Sequence, residues 1–261
     1  GVSVVQTSAL PIYLYFNHLE NNALDGDEES FLRRLLTQIY PNHSFSVVCD
    51  SYNYWNVVNH ILPRLRKEIM AHNGTMFIRG DSGNPVRITT ETVYQLWKLF
   101  GGTINSKGYR ILDPHIRVIY GDSITQEYAE NIYETLLDNG FASNNVVLGV
   151  GSFSFQCRSE SQSYYYPYTR DSFGVAIKST YAEFDGVPMP LYKNPETDET
   201  DMKKSHCGLC RVYRDIDGEL AVMDKVDKDT PNLLTTVFYN GTLTMTQTLQ
   251  EIRNRLHDGQ F

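Results

Sequence analysis

Short apolar segments alternate with amphipathic segments along much of the chain, and this alternation restricts the fold more than any other feature. Four apolar segments predict strands, at residues 46–50, 75–79, 116–120 and 146–148. Apolar residues at helical spacing predict helices at 55–70, 90–100 and 123–137, and a further helix at 28–40 precedes the first strand. The order of strand, helix and strand indicates parallel pairing with right-handed crossovers, and therefore an α/β fold.

The ends of the predicted strands distinguish between two α/β architectures, a doubly wound sheet and a β/α barrel. Each of the four strands finishes in polar or glycine residues, and barrels gather functional groups at the carboxyl ends of several strands. The turn Gly149-Val150-Gly151 stops short of the G-x-G-x-x-G spacing that binds dinucleotides. We therefore predict a parallel β/α barrel-like core.

The character of the sequence changes after Lys193. Residues 194–204 are polar and predict a long loop, and short strands are predicted at 210–213, 220–222 and 233–238, followed by a closing helix at 249–256. The sequence thus predicts a core over 1–193 and a small β-rich C-terminal extension over 194–261. Within the core, the Ser- and Tyr-rich segment 158–168 is predicted to be a loop.

Composition excludes several classes of protein. The 261 residues carry 23 Lys and Arg against 31 Asp and Glu, and the resulting net charge of −8 argues against nucleic-acid binding. No apolar stretch approaches the roughly 18 residues of a membrane span. A signal peptide has a basic segment followed by an apolar one, and the sequence shows no such pattern. The 4 cysteines are too few for a disulfide scaffold and favour a reducing, cytoplasmic location.

Three carboxylates follow predicted strands directly: Asp50, Asp81 and Asp122. Convergent carboxylates can hold the hydroxyls of a ribose, bind Mg²⁺ or stabilise a developing cation. The alternative for each is an ordinary helix cap. Asp81 argues against that alternative for the whole set, because it lies in the Arg, Gly and Pro-containing loop 79–85.

Glycines after the fourth strand add a second kind of chemistry. The turn Gly149–Ser152 offers backbone N–H groups that a phosphate can approach closely, so the expected substrate carries both sugar and phosphate. The lone C-x-x-C at Cys207 and Cys210 lacks a second pair of ligands, and no metal site is assigned. The tyrosines of 164–168 could stack on a base or pack on their own domain.

Several long, ordered segments form a recognisable pattern: 45–52 (FSVVCDSY), 77–85 (FIRGDSGNP), 100–109 (FGGTINSKGY), 112–124 (LDPHIRVIYGDSI), 140–153 (GFASNNVVLGVGSF), 169–174 (TRDSFG), 192–195 (YKNP) and 203–205 (KKS). These segments resemble the nicotinamide phosphoribosyltransferases, in particular their bacterial and phage branch. The resemblance implies a type II phosphoribosyltransferase with a β/α-barrel-like core that acts as a homodimer. The implied reaction joins nicotinamide to 5-phosphoribosyl-1-pyrophosphate (PRPP) with Mg²⁺, giving nicotinamide mononucleotide and pyrophosphate in NAD salvage.

The resemblance also implies roles for individual residues. Arg79 would stack on the nicotinamide ring and contact phosphate, Asp81 would face the ring or the reacting ribose, and Asp122 would bind the ribose hydroxyls. These three are the candidate catalytic residues. The candidate substrate-binding residues are Ser46 and Asp50 in the base pocket, Gly151 and Ser152 at the 5′-phosphate, and Gly121, Ser123, Lys204 and Ser205.

The chain also departs from the family pattern. Family members couple the reaction to ATP through a His that becomes phosphorylated and that directly follows a Glu. The positions that match this Glu-His pair are Ser8 and Ala9, which argues against ATP coupling. A family Lys is replaced by Cys207, and the family's N-terminal portion, which completes the barrel, has no counterpart in this sequence. The departures keep two alternatives open: a noncatalytic homologue with a structural or assembly role, and a phosphoribosyltransferase for nicotinate.

Overall fold

A computed structural model describes residues 3–6, 27–151, 157–161, 164–167, 179–201 and 203–257. The chain divides into two compact units, Gly1–Cys207 and Gly208–Phe261. Residues 194–207, placed in the C-terminal extension by the sequence analysis, fall in the first unit. No helix in the described ranges is both long enough and apolar enough to span a membrane.

A parallel sheet forms the centre of the first unit. Its strands, numbered in chain order along the whole molecule, are β1 (Ser3–Gln6), β2 (Phe45–Val48), β3 (Met76–Gly80), β6 (Ile116–Tyr120) and β7 (Val146–Val150). They lie in the order β1-β7-β6-β3-β2, and every neighbouring pair is parallel. The predicted α/β class is confirmed. The described strands form a sheet with β1 and β2 at its edges, and barrel closure stays a prediction.

Each predicted helix of the first unit is present. The 28–40 helix is α1 (Glu28–Arg34), which continues as a π-helix over Leu35–Ile39. The 55–70 helix is built of α2 (Tyr54–Asn56), a π-helix (Val57–Ile61), α3 (Leu62–Arg64) and α4 (Arg66–Ala71). The other two are α5 (Pro85–Phe100) and α6 (Gln126–Asp138), and a 3-10 turn (Ser143–Asn145) leads into β7.

The core lies between this sheet and its helices. Val47, Ile78 and Val118 of adjacent strands are almost completely buried, as are Leu96 of α5 and Leu136 of α6. Burying one such side chain contributes about 1.5–3 kcal/mol relative to exposing it. Apolar strand residues between helical crossovers are therefore what commits this sequence to a parallel sheet.

Three helices that follow strands are capped by a polar residue four or five positions after the strand end. Asn53 Oδ1 accepts from the Asn56 amide at 2.7 Å, and Asn84 Oδ1 accepts from the Arg87 amide at 3.0 Å. Thr125 Oγ1 accepts from the Tyr128 amide at 3.2 Å. Each cap comes three residues after one of the candidate aspartates, so the capping alternative for those aspartates is wrong.

Three short antiparallel pairs lie outside the main sheet among the described residues of the first unit. β4 (Gly102–Ile104) pairs with β5 (Arg110–Leu112), and β10 (Tyr181–Phe184) pairs with β11 (Val187–Pro190). A third pair, β8 (Cys157–Ser161) with β9 (Tyr164–Pro167), replaces the loop predicted for 158–168, and that prediction was wrong. The tyrosines explain the difference, since aromatic residues favour strands.

The second unit contains two hairpins and a helix. β12 (Arg211–Arg214) pairs with β13 (Leu220–Met223), β14 (Phe238–Tyr239) pairs with β15 (Thr242–Leu243), and α7 spans Leu249–His257. The strand predicted at 233–238 is confined to its last residue. Asn232 Oδ1 instead accepts from the amides of Val212 and Leu234, which holds the backbone of residues 232–234 in a bend. No residue of α7 is buried.

The cap of α5 can be tested by substitution. Replacing Asn84 with Ala leaves the Arg87 amide without its acceptor, and should cost about 1 kcal/mol of unfolding free energy. Asn84→Ser keeps a capping oxygen and should lie close to the wild type. Urea unfolding of the three proteins measures the difference, and equal midpoints for Asn84→Ala and the wild type would contradict the assignment.

Glu28 carries a carboxyl group into the apolar surroundings of α1. Its side chain is only 7% exposed, and it lines a small pocket with Phe31, Leu32 and Cys49. Burial, and then the charge of Asp50, raise the pKa of Glu28 from 4.5 to about 8. The unfolded chain releases this proton near pH ~4.3, so stability falls as the pH rises between the two values.

Glu28→Gln should remove this loss of stability at high pH. The neutral amide keeps the shape of the protonated acid, so the variant should be more stable at pH 8 by several kcal/mol, at about 1.4 kcal/mol for each unit between the unfolded and folded pKa values. Each kcal/mol raises the melting temperature by roughly 2–4 °C. Near pH ~4.5, where wild-type Glu28 is protonated in the folded state and half protonated in the unfolded chain, the difference should nearly vanish. Melting curves from pH 4.5 to 8 provide the measurement. A constant difference across that range would show that Glu28 does not titrate as described.

Candidate functional site

Asp50, Asp81 and Asp122 lie at one edge of the sheet. They follow the carboxyl ends of β2, β3 and β6, which are adjacent and parallel, so all three chain ends open on the same side. Their side chains are progressively more exposed, at 0%, 15% and 34% in that order. The site therefore runs from a buried end at Asp50 to an open end at Asp122.

Two lysines join the three carboxylates. Lys193 Nζ lies 3.1 Å from Asp50 Oδ1 and 3.7 Å from Asp81 Oδ2. Lys203 Nζ lies 3.8 Å from the same Asp81 oxygen and 2.9 Å from Asp122 Oδ2. Each lysine thus spans two neighbouring carboxylates, and Asp81 is shared by both.

Arg79 is the third cation of the site. It is the penultimate residue of β3 and only 3% exposed, and its Nη2 donates to Asp81 Oδ1 at 2.7 Å. Its Nε and Nη1 are buried without a hydrogen-bond partner among the described residues. A Cβ on Gly121 would lie 3.1 Å from Nη1, so the glycine leaves room for the guanidinium. We call Asp50, Asp81, Asp122, Arg79, Lys193 and Lys203 the ionic cluster.

Both lysines belong to one segment, residues 191–205, which we call the lysine segment. Its backbone docks on the loop after β2, because the amides of Asn194 and Glu196 donate to the carbonyls of Ser51 and Tyr52 at 3.0 and 2.7 Å. These bonds fix the segment beside the end of β2, which Asp50 follows.

Ser205 closes the lysine segment on itself. Its Oγ accepts from the Lys193 amide at 2.8 Å, and its own amide donates to the Lys193 carbonyl at 3.0 Å. Asp198 supports the same turn, since its carboxylate accepts from the Lys203 amide at 2.5 Å. The two lysines are therefore held at a set spacing, although ten residues separate them in the sequence.

Hydroxyl groups hold the other oxygen of Asp50. Ser82 Oγ donates to Asp50 Oδ2 at 2.5 Å, and Thr197 Oγ1 lies 2.5 Å from Ser82 Oγ. A Ser hydroxyl has one proton to donate, so Thr197 donates to Ser82. Asp50 thus contacts Lys193 through one oxygen and Ser82 through the other, and Thr197 of the lysine segment reaches it only through Ser82.

The charges of the ionic cluster shift one another's protonation. Burial raises the pKa of Asp81, but Lys193, Arg79 and Lys203 outweigh it and hold that pKa well below the usual value. Burial dominates at Asp50 and raises its pKa, against the opposing effect of Lys193. Burial lowers the pKa of Lys203, but Asp81 and Asp122 more than compensate, and the net shift is upward. Asp81 therefore remains ionised over the whole physiological range.

The structure brings together only part of the predicted site. Arg79, Asp81, Asp122 and Asp50 lie in the ionic cluster, with Gly121 against Arg79. Ser123 follows Asp122 with φ at 54°, an uncommon backbone angle for a residue with a side chain, and its Oγ donates to Asp122 Oδ2 at 3.3 Å. Gly151 follows β7 at the same sheet edge, while Ser152 lies outside the described residues.

Other predicted residues lie elsewhere or act differently. Ser46 sits in the first half of β2, four residues and about 13 Å of strand before Asp50. Asp50 is fully buried with both oxygens occupied, so its observed contacts are with Lys193 and Ser82. Lys204 is exposed and has no ion pair in the described part of the chain, whereas its neighbour Lys203 has two.

Lys193 and Lys203 were not among the residues predicted from sequence. Both lie in segments that resemble the family, 192–195 and 203–205, so a signal was present. Lysine is usually a surface residue, and nothing in the local sequence distinguishes Lys203 from Lys204. The fold makes that distinction by turning one of the two towards Asp122.

Metal ligands are sparse within the described ranges. They contain no group of three or more His, Cys, Asp or Glu side chains placed to hold a metal ion. The three aspartates are each paired with a cation instead. A divalent cation at this site would need oxygen ligands from a second molecule such as a phosphate.

Comparison with known proteins gives a consistent result. The model of the nicotinate phosphoribosyltransferase (NAPRTase) family matches residues 4–242. A protein of Acinetobacter baylyi named nicotinamide phosphoribosyltransferase is 38% identical over 255 residues, covering 88% of this chain and 48% of that protein. Proteins of the same name from Mycoplasma pneumoniae and Xanthomonas campestris are 35% and 34% identical, covering 67% and 85% of this chain and 39% and 46% of their own lengths.

The chain thus spans about half the length, or somewhat less, of the curated relatives it matches. The matched region includes all six residues of the ionic cluster, since residues 4–242 contain them. The predicted resemblance is confirmed, and the chain belongs to the nicotinate phosphoribosyltransferase family.

Proposed function

We propose that this chain carries the phosphoribosyl-transfer site of an enzyme that joins nicotinamide to PRPP, giving nicotinamide mononucleotide and pyrophosphate in NAD salvage. The observation that carries the proposal is the ionic cluster, in which three carboxylates and three cations meet at one edge of a parallel sheet. The names of the relatives support nicotinamide as the base.

The reaction requires both signs of charge. The bond between ribose C1′ and the pyrophosphate oxygen breaks, and its electron pair leaves with the oxygen. The ring nitrogen of nicotinamide supplies the pair for the new C1′–N bond. Positive charge therefore develops on the sugar and negative charge on the leaving group, and preorganised groups of opposite sign stabilise each.

The carboxylates suit the sugar side of this reaction. Asp81 stays ionised because three cations surround it, so a negative charge is available at the reacting ribose. Asp122 is the most exposed of the three and could accept hydrogen bonds from the ribose hydroxyls. Ser123 and Gly121 flank it and shape the same loop.

The cations suit the leaving group and the base. Lys193 and Lys203 lie between the carboxylates and can turn towards a pyrophosphate that enters the cluster. Arg79 keeps two buried donors without partners in the described residues, an arrangement that is unfavourable unless a ligand accepts from them. We propose that these donors contact phosphate while the guanidinium plane stacks on the nicotinamide ring.

The 5′-phosphate has its own proposed position. Gly151 follows β7, next to β6 in the sheet, and its backbone together with Ser152 would cradle the phosphate. Ser46 is proposed to line the base pocket, and Lys204 and Ser205 to lie at the edge of the substrate site. Ser205 has a further structural role, because it fixes the backbone of Lys193.

Mg²⁺ fits this donor set as a companion of PRPP. Magnesium binds proteins through one or two carboxylates and completes its coordination with substrate phosphates and water, and Asp122 offers a partly exposed carboxylate for that purpose. When bound, the ion would neutralise charge on the leaving pyrophosphate. ATP remains a candidate cofactor without an assigned acceptor, since Ser8 and Ala9 lie outside the described residues.

The architecture and assembly of the whole protein are also proposals. Family membership supports completion of the parallel sheet into a β/α barrel and a cytoplasmic homodimer. The second unit exposes large apolar side chains, among them Phe238, Leu243 and Leu256, and such a surface favours a protein interface.

Formation of nicotinamide mononucleotide tests the proposed function directly. The purified protein, given nicotinamide, PRPP and Mg²⁺, should form product and pyrophosphate in equal amounts, and should prefer nicotinamide when nicotinate competes. Calorimetry of PRPP binding provides an independent readout. Absence of both product and PRPP binding would contradict the proposal and favour a noncatalytic homologue, while preference for nicotinate would change the assigned base.

Asp81 gives the sharpest single substitution. Asp81→Asn removes the charge beside the reacting sugar, and should lower kcat by about 10²-fold or more, corresponding to roughly 3 kcal/mol of barrier. Asp138→Asn, at an exposed position on α6, is the matched control and should keep the wild-type rate. An unchanged rate in Asp81→Asn would remove Asp81 from the mechanism.

The two adjacent lysines can be separated by substitution. Lys203→Met removes the cation between Asp81 and Asp122, and should raise the KM for PRPP about 10-fold, or roughly 1.4 kcal/mol. Lys204→Met should have the smaller effect, because Lys204 is exposed. Steady-state kinetics with varied PRPP compares them. A larger effect at Lys204 would mean that the ion pairs of Lys203 do not mark the phosphate site.

A further inference from the structure

The contacts around Asp50 reveal a residue that touches no proposed substrate position and still connects to the ionic cluster. Thr197 lies in the lysine segment, 115 residues from Ser82 in sequence, and its hydroxyl lies 2.5 Å from the Ser82 hydroxyl. Ser82 is buried, as is Asp50, to which it donates at 2.5 Å. A continuous line of hydrogen bonds therefore runs from Thr197 through Ser82 to Asp50.

The direction of these bonds is fixed by the charge at one end. Asp50 is held by the Lys193 cation at 3.1 Å, and an ionised carboxylate only accepts hydrogen bonds. Ser82 must then donate to Asp50, and its oxygen is available to accept from Thr197. Each hydroxyl in the line thereby stabilises the charged form of Asp50.

Lys193 and Thr197, both in the lysine segment, are connected to the same carboxylate, that of Asp50. Lys193 approaches Oδ1 directly, and Thr197 reaches Oδ2 through Ser82. Lys193 and Thr197 are four residues apart in the lysine segment, so Asp50 acts as the buried anchor of that segment. The position of Lys193 between Asp50 and Asp81 depends on both attachments.

The loop around Ser82 is shaped to receive Thr197. Gly83 adopts φ of 82°, and a Cβ there would lie 2.9 Å from the Thr197 carbonyl oxygen. Backbone and side chain of Thr197 therefore both meet the loop that follows β3. This close approach argues for a specific contact and against a chance meeting of two surface hydroxyls.

We propose that Thr197 is a positioning residue for PRPP binding, which acts through Ser82 and Asp50 to fix Lys193 and the lysine segment at the ionic cluster. The proposal rests on the proposed function, because it assigns to the lysine segment the binding of the pyrophosphate group. Thr197 itself makes no contact with the reacting atoms. Its loss should weaken PRPP binding and leave nicotinamide binding unchanged.

The test compares the wild type with Thr197→Val and Thr197→Ser by calorimetry and steady-state kinetics with PRPP and nicotinamide. Thr197→Val keeps the shape of the side chain and removes the hydroxyl, and should raise the KM and Kd for PRPP about 5–10-fold, the factor for one net hydrogen bond. The KM for nicotinamide should stay at the wild-type value. Thr197→Ser restores the hydroxyl and should recover wild-type PRPP binding.

A matched control and a double-mutant cycle separate positioning from general stability. Thr135→Val on α6 removes a Thr hydroxyl bond of 2.7 Å away from the cluster, and should leave PRPP binding unchanged. In a Ser82→Ala background, Thr197→Val should add little, because the hydroxyl through which Thr197 acts on Asp50 has already been removed. The same cycle measured by urea unfolding reports the coupling without any substrate.

The outcomes separate this proposal from the proposed function. If the wild type and Thr197→Val bind PRPP equally well, the positioning role alone is overturned. An undiminished effect of Thr197→Val in the Ser82→Ala background would also overturn it, since Thr197 would then act by another route. A wild-type protein that does not bind PRPP would overturn the proposed function and this role with it.

Discussion

The structure of the site depends on placing three carboxylates beside one another at the edge of a sheet. Like charges at such spacing repel strongly where water is largely excluded. Arg79, Lys193 and Lys203 balance Asp50, Asp81 and Asp122 one for one, with Asp81 paired to all three cations. This balance lets the protein keep an ionised carboxylate in a buried position. The same arrangement provides both signs of charge to a substrate that separates charge as it reacts.

The secondary structure contributes to the site because residues other than the three aspartates cap the helices. Asn53, Asn84 and Thr125 satisfy the helix amides, each three residues beyond an aspartate. The carboxylates are consequently available for the lysine segment, which returns from a distant part of the sequence. Asp50 then serves as an anchor for that segment and Asp81 as its electrostatic centre. Asp122 remains partly open, as a substrate-binding position should.

Sequence reasoning located four of the six residues of the ionic cluster. The strand ends indicated Asp50, Asp81 and Asp122, because the carboxyl ends of parallel strands share an edge. Arg79 followed from the resemblance to a family, as did the proposed substrates. Lys193 and Lys203 escaped prediction, since a lysine becomes a site residue only through the partners that the fold supplies. The hairpin β8–β9 was missed for another reason: polar and aromatic residues were interpreted as loop where their strand preference prevailed.

Local sequence by itself determined the alternation of strands and helices, the parallel pairing and the sheet edge at which the aspartates lie. These features follow from residue spacing and from short-range preferences that act within a few residues. Tertiary structure alone decided which lysine of the pair 203–204 meets Asp122, that Asp50 is an anchor, and that Thr197 reaches it through Ser82. Those outcomes depend on contacts between residues that lie far apart in the sequence, from 81 positions for Lys203 and Asp122 to 143 for Lys193 and Asp50, and the energies of these contacts arise only once the chain has folded.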